Sequence, residues 1–407
     1  MENPQLPRVI VFRTDLLPRS ETFIKEQLLA LSRWQPVLTG FRLAHGLDLA
    51  DIDYELLTAR WPQKLSQRAI PVFREFGLYP PGLRRRLRRC AGNLVHVHFG
   101  TDLVAAWPVL RGLGLPIVAT LHGFDINTHK EFWEQLARAH RLYPQRLLQA
   151  SRHPQVHFIA VSEAIRRRAI DYGIPSEKIS VNYIGVDVAR FNPSGQPLAQ
   201  RRRRILYVGR MVEKKGAGIL IRAFARVREC LPEAELTVVG DGPLLAESQR
   251  LARDLNLPVS FLGSLAHDAV RRQMSEARVF CLPSITAPNG DAEGFPIVIL
   301  EALASGVPVI SSARGGAAEG ITHGVTGWCF PEHDVNALVD ALIQSLTDDA
   351  LVTRMSRAAR AQVESRFDLR KCTAALEDLY EELTERLGTR RPDRNIARVA
   401  RPSRILR

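Results

Sequence analysis

The sequence predicts an α/β protein: two Rossmann-like, doubly wound domains facing each other across a cleft, with C-terminal helices. Three observations predict it. The chain has 407 residues, too many for one ordinary core and enough for two domains of about 200 residues each. Short β-branched runs alternate with helical patterns, the signature of a parallel sheet covered on both faces. The alternation then stops at a stretch rich in Pro, Gly and Gln and starts again.

In the first half, "RVIVFR" (8–13), "NLVHVHF" (93–99), "PIVATL" (116–121), "QVHFIAVS" (155–162) and "KISVNYI" (178–184) read as strands. Helical patterns lie at 21–34, 132–150 and 163–173. In the second half the strands are 204–210, 235–240, 259–263, 278–283 and 307–312, with helices at 217–230, 243–256, 266–276 and 296–305. Beyond residue 333 the pattern is helical, and Gly388 is the expected stop of the last helix. The expected domains are 1–190 and 205–367, joined by a linker at 191–204. A helix at 368–388 is expected to pack back toward the first domain, and a basic tail at 389–407 to be disordered. In sheets of this kind ligands bind beyond the carboxyl ends of the strands, so the site is expected in the cleft.

Composition narrows the function. The hydrophobic share is 45% and the charged share 24%, as in globular proteins. No run of about 18 apolar residues predicts a membrane-spanning helix. The first 15 residues lack the basic cap, apolar run and cleavage site of a secretory signal, so a cytoplasmic location is expected. Cys90, Cys230, Cys281, Cys329 and Cys372 form no C-x-x-C pair, which predicts neither a zinc site nor a disulfide frame. The net charge of +13 is uneven: residues 1–200 carry 26 Lys/Arg against 17 Asp/Glu, residues 201–389 carry 23 against 25, and residues 390–407 carry seven arginines against one Asp. A basic first half attracts polyanions or an anionic surface. "PPGLRRRLRRCAG" (80–92), with five arginines around two leucines, is the segment expected to lie on anionic lipid, with "RRRR" (201–204) and the basic tail expected to help. A nucleic-acid partner is not expected, because aromatic content is only 7% and no binding motif is present.

The chemistry-bearing residues collect at strand ends. Arg210 and Lys215 follow the first strand of the second half and precede a helix, where free N–H groups, the positive helix end and a guanidinium together hold an anion. The spacing is not that of a Walker loop. Gly240 and Gly242 in "VVGDGP" (238–243) and the turn "GGAAEG" (315–320) follow two further strands. In "APNGDAEGFPIVILEALASGVPVI" (287–310), Pro296 fits the first position of a helix. Glu293 then precedes the helix entry and Glu301 lies over a turn inside it, so both can address one molecule. A carboxylate accepts the two vicinal hydroxyls of a ribose, and the amides of Gly294 and Phe295 can bond further hydroxyls. A hydrolytic carboxylate pair and ordinary solvated charge fit the same residues.

"GRMVEKKG", "VVGDGP", "AEGFPIVILEALASGVPVI" and "GGAAEGITHGVTGW", in this order and spacing, resemble retaining glycosyltransferases of family 4, which have the GT-B fold; the E-x7-E pattern from Glu293 to Glu301 is the family's hallmark. "PRSETFI" (18–24), "VHVHFG" (95–100) and "LHGFDI" (121–126) further resemble enzymes of the colanic acid and amylovoran type, which build bacterial exopolysaccharides. The resemblance implies that Arg210 and Lys215 hold the diphosphate of a nucleotide sugar and that Glu301 accepts its ribose hydroxyls. Glu293, with the amides at Gly294, Phe295 and beside Pro296, is implied to hold the donor sugar. Gly242 and the turn at 263–265, with Ser264, are implied on the donor side. His122, Asp125 and Glu293 form the implied catalytic set, with His122 beside the donor sugar from across the cleft and Asp125 orienting its loop. His98 is implied on the acceptor side.

Many members carry a glycine-rich first loop, but "DLLPRSETF" (15–23) has no glycine. Ser20 and Glu21 are therefore candidates for acceptor contact or for capping the next helix. No cofactor or metal is expected: the nucleotide sugar is a substrate, no D-x-D motif occurs in a fitting place, and cations stand where a metal would. The implied reaction moves a sugar, with retention, to a hydroxyl of a polyprenyl-diphosphate-linked glycan. The rivals are a sugar-nucleotide epimerase of the same architecture and a non-enzymatic basic polyanion-binding protein.

Overall fold

A computed structural model describes residues 6–18, 20–43, 46–59, 79, 81–136, 138–193, 196–312 and 314–387. Gly388 and the expected tail at 389–407 lie outside them. The first unit contains β1 (Arg8–Leu16), β2 (Gln35–Leu43), β3 (Tyr54–Leu56), β4 (Leu94–His98), β5 (Ile117–Leu121), β6 (Val156–Ala160) and β7 (Ile179–Val181). The second contains β8 (Arg204–Val208), β9 (Glu235–Val239), β10 (Val259–Phe261), β11 (Val279–Leu282), β12 (Val309–Ser312) and β13 (Gly327–Phe330). The first sheet runs β3-β2-β1-β4-β5-β6-β7 and the second β10-β9-β8-β11-β12-β13. Every strand pair is parallel. Both sheets are therefore doubly wound, and each reverses direction beside its first strand, between β1 and β4 and between β8 and β11. These reversals leave the crevices where ligands bind.

The central strands β4, β5 and β6 are buried along their whole length, as helices on both faces require. Strands β2, β3 and β13 do not stand out in the sequence. "QPVLTGFRL" carries Pro36 and Gly40, which dilute its β signal, and the other two have only three and four residues. The single helix expected over 132–150 is three short ones, Lys130–Glu134, Arg138–Arg141 and Tyr143–Ser151. The last of these starts with Pro144 in its first turn, a position that favours Pro as a helix start over a helix interior.

The arginine-rich segment forms the helix Pro81–Arg89, but its leucines are not offered to a membrane. Leu83 and Leu87, four apart and so on one face, are buried in the core of the first unit. Arg84 donates to the carbonyls of Pro108 and Val109 and Arg86 to that of Leu57. The apolar contact expected with lipid is corrected to a core contact, leaving exposed Arg85, Arg88 and Arg89 as the cationic face.

The helix Leu369–Arg386 crosses back over the first sheet. Leu376, Tyr380 and Leu383 join Val9, Val11 and Leu38 in one buried cluster. The Tyr380 hydroxyl lies 2.5 Å from His96 Nδ1. Glu377, almost wholly buried, accepts the backbone N–H groups of Ser32, Arg33 and Trp34 at 2.8, 2.6 and 3.1 Å. One carboxylate thus satisfies the turn after the helix Thr22–Ala30. Glu377→Ala leaves those donors without a partner and is expected to cost about 2–3 kcal/mol. Thermal unfolding should show the loss, and limited proteolysis should show earlier release of the last helix.

Candidate active site

The loops beyond β8 to β11 are stitched side by side. Gly240 N donates to the Gly263 carbonyl at 2.8 Å and Gly209 N to Val239 at 3.0 Å. Met211 N donates to Asp241 at 2.8 Å, and Ile285 N to Lys214 at 2.8 Å. Four consecutive strand ends are joined in this way. Gly242 belongs to the turn held against Met211, and Ser264 is exposed in the turn after β10. Gly216, at φ 66°, lets the helix Ala217–Cys230 start against the end of β11, since a Cβ there would lie 1.9 Å from the Pro283 carbonyl oxygen.

Arg210 is exposed on this loop. Lys215 turns inward, and its Nζ lies 2.6 Å from Oε1 of Glu293. Ser284 Oγ donates to the same oxygen at 3.1 Å. Lys214 pairs with Asp291 at 2.9 Å, fixing the loop that carries Glu293. Burial pushes the Glu293 carboxyl up, but Lys215, Lys214 and the Ser284 hydroxyl outweigh it and hold the pKa below the usual range. Glu293 is thus an anion and an acceptor, not the protonated acid that a hydrolytic carboxylate pair needs. Pro296 is the N-cap of the helix Ile297–Ala304, one position earlier than expected, and is extended at φ −76°, ψ 109°. The Phe295 ring packs among Tyr183 and Phe367, so only its backbone is free to meet a ligand. Glu301 lies inside the helix, nearly buried, with His267 Nε2 at 2.8 Å from its Oε1.

The first unit supplies the facing wall. His122 follows β5, and its loop is built around Asp125, which is fully buried. Asp125 accepts from the amides of Gly100 at 2.8 Å, His122 at 3.1 Å and Gly123 at 2.9 Å. Burial pushes its carboxyl up to about 6 even though these amides pull it down. Asp125 therefore shapes the loop from beneath. The His122 ring sits between Phe23 and Phe99, with Nε2 at 3.1 Å from His98 Nδ1. Burial, with nearby Arg13, keeps His122 well below the ordinary imidazole range, so the ring is neutral.

Two expectations for the acceptor side are corrected. His98 is 1% exposed and lies behind His122, so it contacts His122 and no outside molecule; its Nε2 has no hydrogen-bond partner. Glu21 is the N-cap residue of the helix Thr22–Ala30, but its side chain makes no capping bond. Arg13 takes it instead, at 3.0 and 2.5 Å, and also bonds Asp102 at 2.5 Å. A buried guanidinium between two carboxylates leaves neither free. Ser20 is exposed.

The two walls touch. A Cβ on Gly294 would lie 1.8 Å from the His122 carbonyl oxygen, and one on Gly123 2.9 Å from the Gly294 nitrogen. Ser162 Oγ donates to the Gly294 carbonyl at 2.9 Å. His129 N donates to Asn289 at 2.8 Å. Glu319 accepts the amides of Glu163 and Ala164 at 2.9 and 2.6 Å, placing a carboxylate at the N-terminus of the helix Glu163–Tyr172, where the helix dipole favours it. Beside this contact lies a cavity of about 770 Å³, with Glu293, Ser284 and Arg314 from the second unit facing Lys130, Arg167 and Arg168 from the first. Arg210, Lys215 and Glu301 are not among its lining residues; Lys215 reaches it only through Glu293. Ser162, Glu319 and His267 escaped sequence reading, because pairing across units of a long chain leaves no local pattern. Among the described residues, no group of three or more His, Cys, Asp or Glu is placed to hold a metal ion.

Comparison with known proteins gives a consistent picture. The family described as glycosyl transferases group 1 matches residues 190–362, and that described as glycosyltransferase family 4 matches residues 41–190. The amylovoran biosynthesis glycosyltransferase AmsK of Erwinia amylovora is 33% identical over 300 residues, 72% of this chain and 71% of that protein. A GDP-mannose-dependent phosphatidylinositol monomannoside mannosyltransferase of Mycolicibacterium smegmatis is 32% identical over 74% of this chain and 80% of its own length. HepE of Anabaena, solved with UDP and glucose, superposes with a TM-score of 0.74 at 21% identity, over 92% of this chain and 99% of that one; this likeness is one of fold.

Gly294→Ala puts a methyl group where the His122 carbonyl stands and should hold the units apart. The expected result is a protein that still folds, with a lower unfolding temperature because the bonds across the contact are strained, and a turnover about a hundredfold lower, since displacement by about 1 Å costs that much. Steady-state kinetics beside thermal unfolding checks both halves.

Proposed function

The chain belongs to family 4 of the glycosyltransferases, and from that premise we propose that it transfers a sugar, with retention, from a nucleotide diphosphate sugar to a hydroxyl of a lipid-linked glycan in exopolysaccharide assembly. The observation that carries this reading is the stitched row of strand ends, with Arg210 exposed on the loop that also carries Lys215, Lys215 paired to Glu293, and the next residue, Gly294, packed against the His122 carbonyl. The likeness to AmsK supports the pathway class, and the UDP-bound state of HepE supports the donor class.

On this reading Arg210 and Lys215 neutralise the diphosphate as it departs, in place of a metal. Glu301 accepts the ribose hydroxyls. Glu293, held as an anion by Lys215, accepts sugar hydroxyls, and the amides at 294 and 295 complete the cradle. Neutral His122 bonds the sugar from the opposite wall. The acceptor enters through the 770 Å³ cavity and attacks the anomeric carbon on the face from which the phosphate leaves. The new carbon–oxygen bond forms as the bond to the β-phosphate breaks, and the acceptor's proton passes to the departing phosphate oxygen. No side chain need become covalently attached.

No described helix is long and apolar enough to cross a membrane. On this reading the chain meets its acceptor at the inner face of the cytoplasmic membrane, through Arg85, Arg88 and Arg89 acting as surface charge.

Arg210→Ala and Glu301→Ala should fold normally and lose nucleoside diphosphate release by about 10²–10³-fold, read with a panel of UDP-, GDP- and ADP-sugars and a polyprenyl-diphosphate glycan; full release by both variants contradicts the reading. Release should persist in EDTA. Binding to anionic vesicles should fall with added salt and with Arg85→Glu/Arg89→Glu, as expected for charge screened within about 8–10 Å; equal sedimentation with and without vesicles contradicts the membrane role.

A further inference from the structure

Glu301 is held by a histidine of its own unit that is itself held from across the cleft. His267, the first residue of the helix His267–Glu276, places Nε2 2.8 Å from Glu301 Oε1 and Nδ1 3.3 Å from Oε1 of Glu26. Glu26 lies on the helix Thr22–Ala30 of the opposite unit. The same Glu26 oxygen accepts from Arg190 Nη1 at 3.3 Å, and Arg190 Nη2 donates to Asp268 at 3.0 Å. The chain of charges runs from the Glu301 helix through His267 to the first unit, then back through Arg190 to the helix that His267 starts.

A neutral imidazole has one N–H and can donate to one carboxylate only. With carboxylates at both nitrogens, His267 serves both only as the imidazolium. The groups facing it are Glu301, Glu26, Asp268, Arg190 and the Phe191 ring, whose centroid is 5.0 Å away; Asp187 bears on Glu26. Burial pushes the imidazole down, but the hydrogen bond and charge of Glu301 and the charge of Glu26 outweigh it and raise the pKa. Burial also raises the Glu26 carboxyl, against the pull of His267. A raised imidazole pKa means the bridge is complete at low pH and is lost as pH climbs beyond the ordinary imidazole range.

Resting on the reading of Glu301 as the ribose acceptor, we infer that His267 is a positioning residue that fixes the Glu301 carboxylate for the ribose hydroxyls only while Glu26 of the opposite unit holds its other nitrogen, so that nucleotide affinity and closure of the cleft are coupled. Holding one oxygen of Glu301 removes rotational freedom that a ligand otherwise has to remove on binding. Because Glu26 is on the other unit, any gain in nucleotide affinity from the bridge is returned as a gain in closure.

The test is calorimetric titration of the full chain with UDP and GDP, and with their 2′,3′-dideoxy counterparts, which carry the same phosphates and no ribose hydroxyls. For the ribonucleotide that binds, affinity should fall from about pH 6 to about pH 9 by more than it does for the dideoxy ligand. His267→Gln should weaken ribonucleotide binding about tenfold at the low end and flatten that extra pH dependence. Glu26→Gln, which touches no ligand, should weaken it in the same direction and have no further effect in the His267→Gln background. Dideoxy ligands should bind all variants alike. If Glu301→Gln binds ribonucleotide as tightly as the unaltered chain, the ribose reading fails and the inference fails with it. If Glu301→Gln weakens binding while His267→Gln and Glu26→Gln do not, the ribose reading stands and the coupling is overturned. Thermal unfolding confirms that each variant is folded, and Glu26→Gln alone carries the test if His267→Gln is not.

Discussion

Between the His122 carbonyl and the α-carbon of Gly294 there is no space for a methyl group. That approach sets the geometry of everything around it. It brings the end of β5, one strand beyond the reversal in the first sheet, against the loop after β11, which borders the reversal in the second. It also aligns Ser162 with the Gly294 carbonyl and Glu319 with the start of the helix Glu163–Tyr172. A doubly wound sheet leaves a crevice at its switch point whatever the sequence. Here the glycine contact also borders a cavity that both units line, with Glu293, Ser284 and Arg314 on one side and Lys130, Arg167 and Arg168 on the other.

The electrostatics of the compartment follow from burial. Glu293 keeps its charge because Lys215 and Lys214 stand beside it, while His122 stays neutral because burial and Arg13 disfavour a second positive charge. Asp125 is pushed up by burial although three amides hold it. It is spent on backbone geometry, as Glu377 is at the turn 32–34 and Asp102 is at Thr14 and Arg13. Buried carboxylates in this chain therefore divide into those that shape loops and those, Glu293 and Glu301, that end at the cleft.

Much of this was legible in the sequence. The two βα series, the strand ends carrying Arg210 and Lys215, and the Glu293–Glu301 spacing are local patterns, and local patterns survive in one sequence. The helix at Pro81–Arg89 was visible too, but which way its leucines face was not, because burial depends on the neighbouring helix Gly100–Leu110 and on Leu57. His98 and Glu21 read as site residues because they neighbour motifs. The fold buries the first behind His122 and gives the second to Arg13, eight residues upstream, through a pairing that no periodicity marks. His267 and Glu26 illustrate the same limit from the other side: two residues far apart in sequence acquire a role only when the cleft closes.

The most direct measurement is hydrogen–deuterium exchange of the full chain with and without nucleotide sugar. If the two sheets share one donor compartment, exchange slows together in the segments 209–216, 292–301 and 121–126. Slowing confined to one unit, or absent from 209–216 and 292–301 while nucleotide sugar is bound, contradicts a shared compartment.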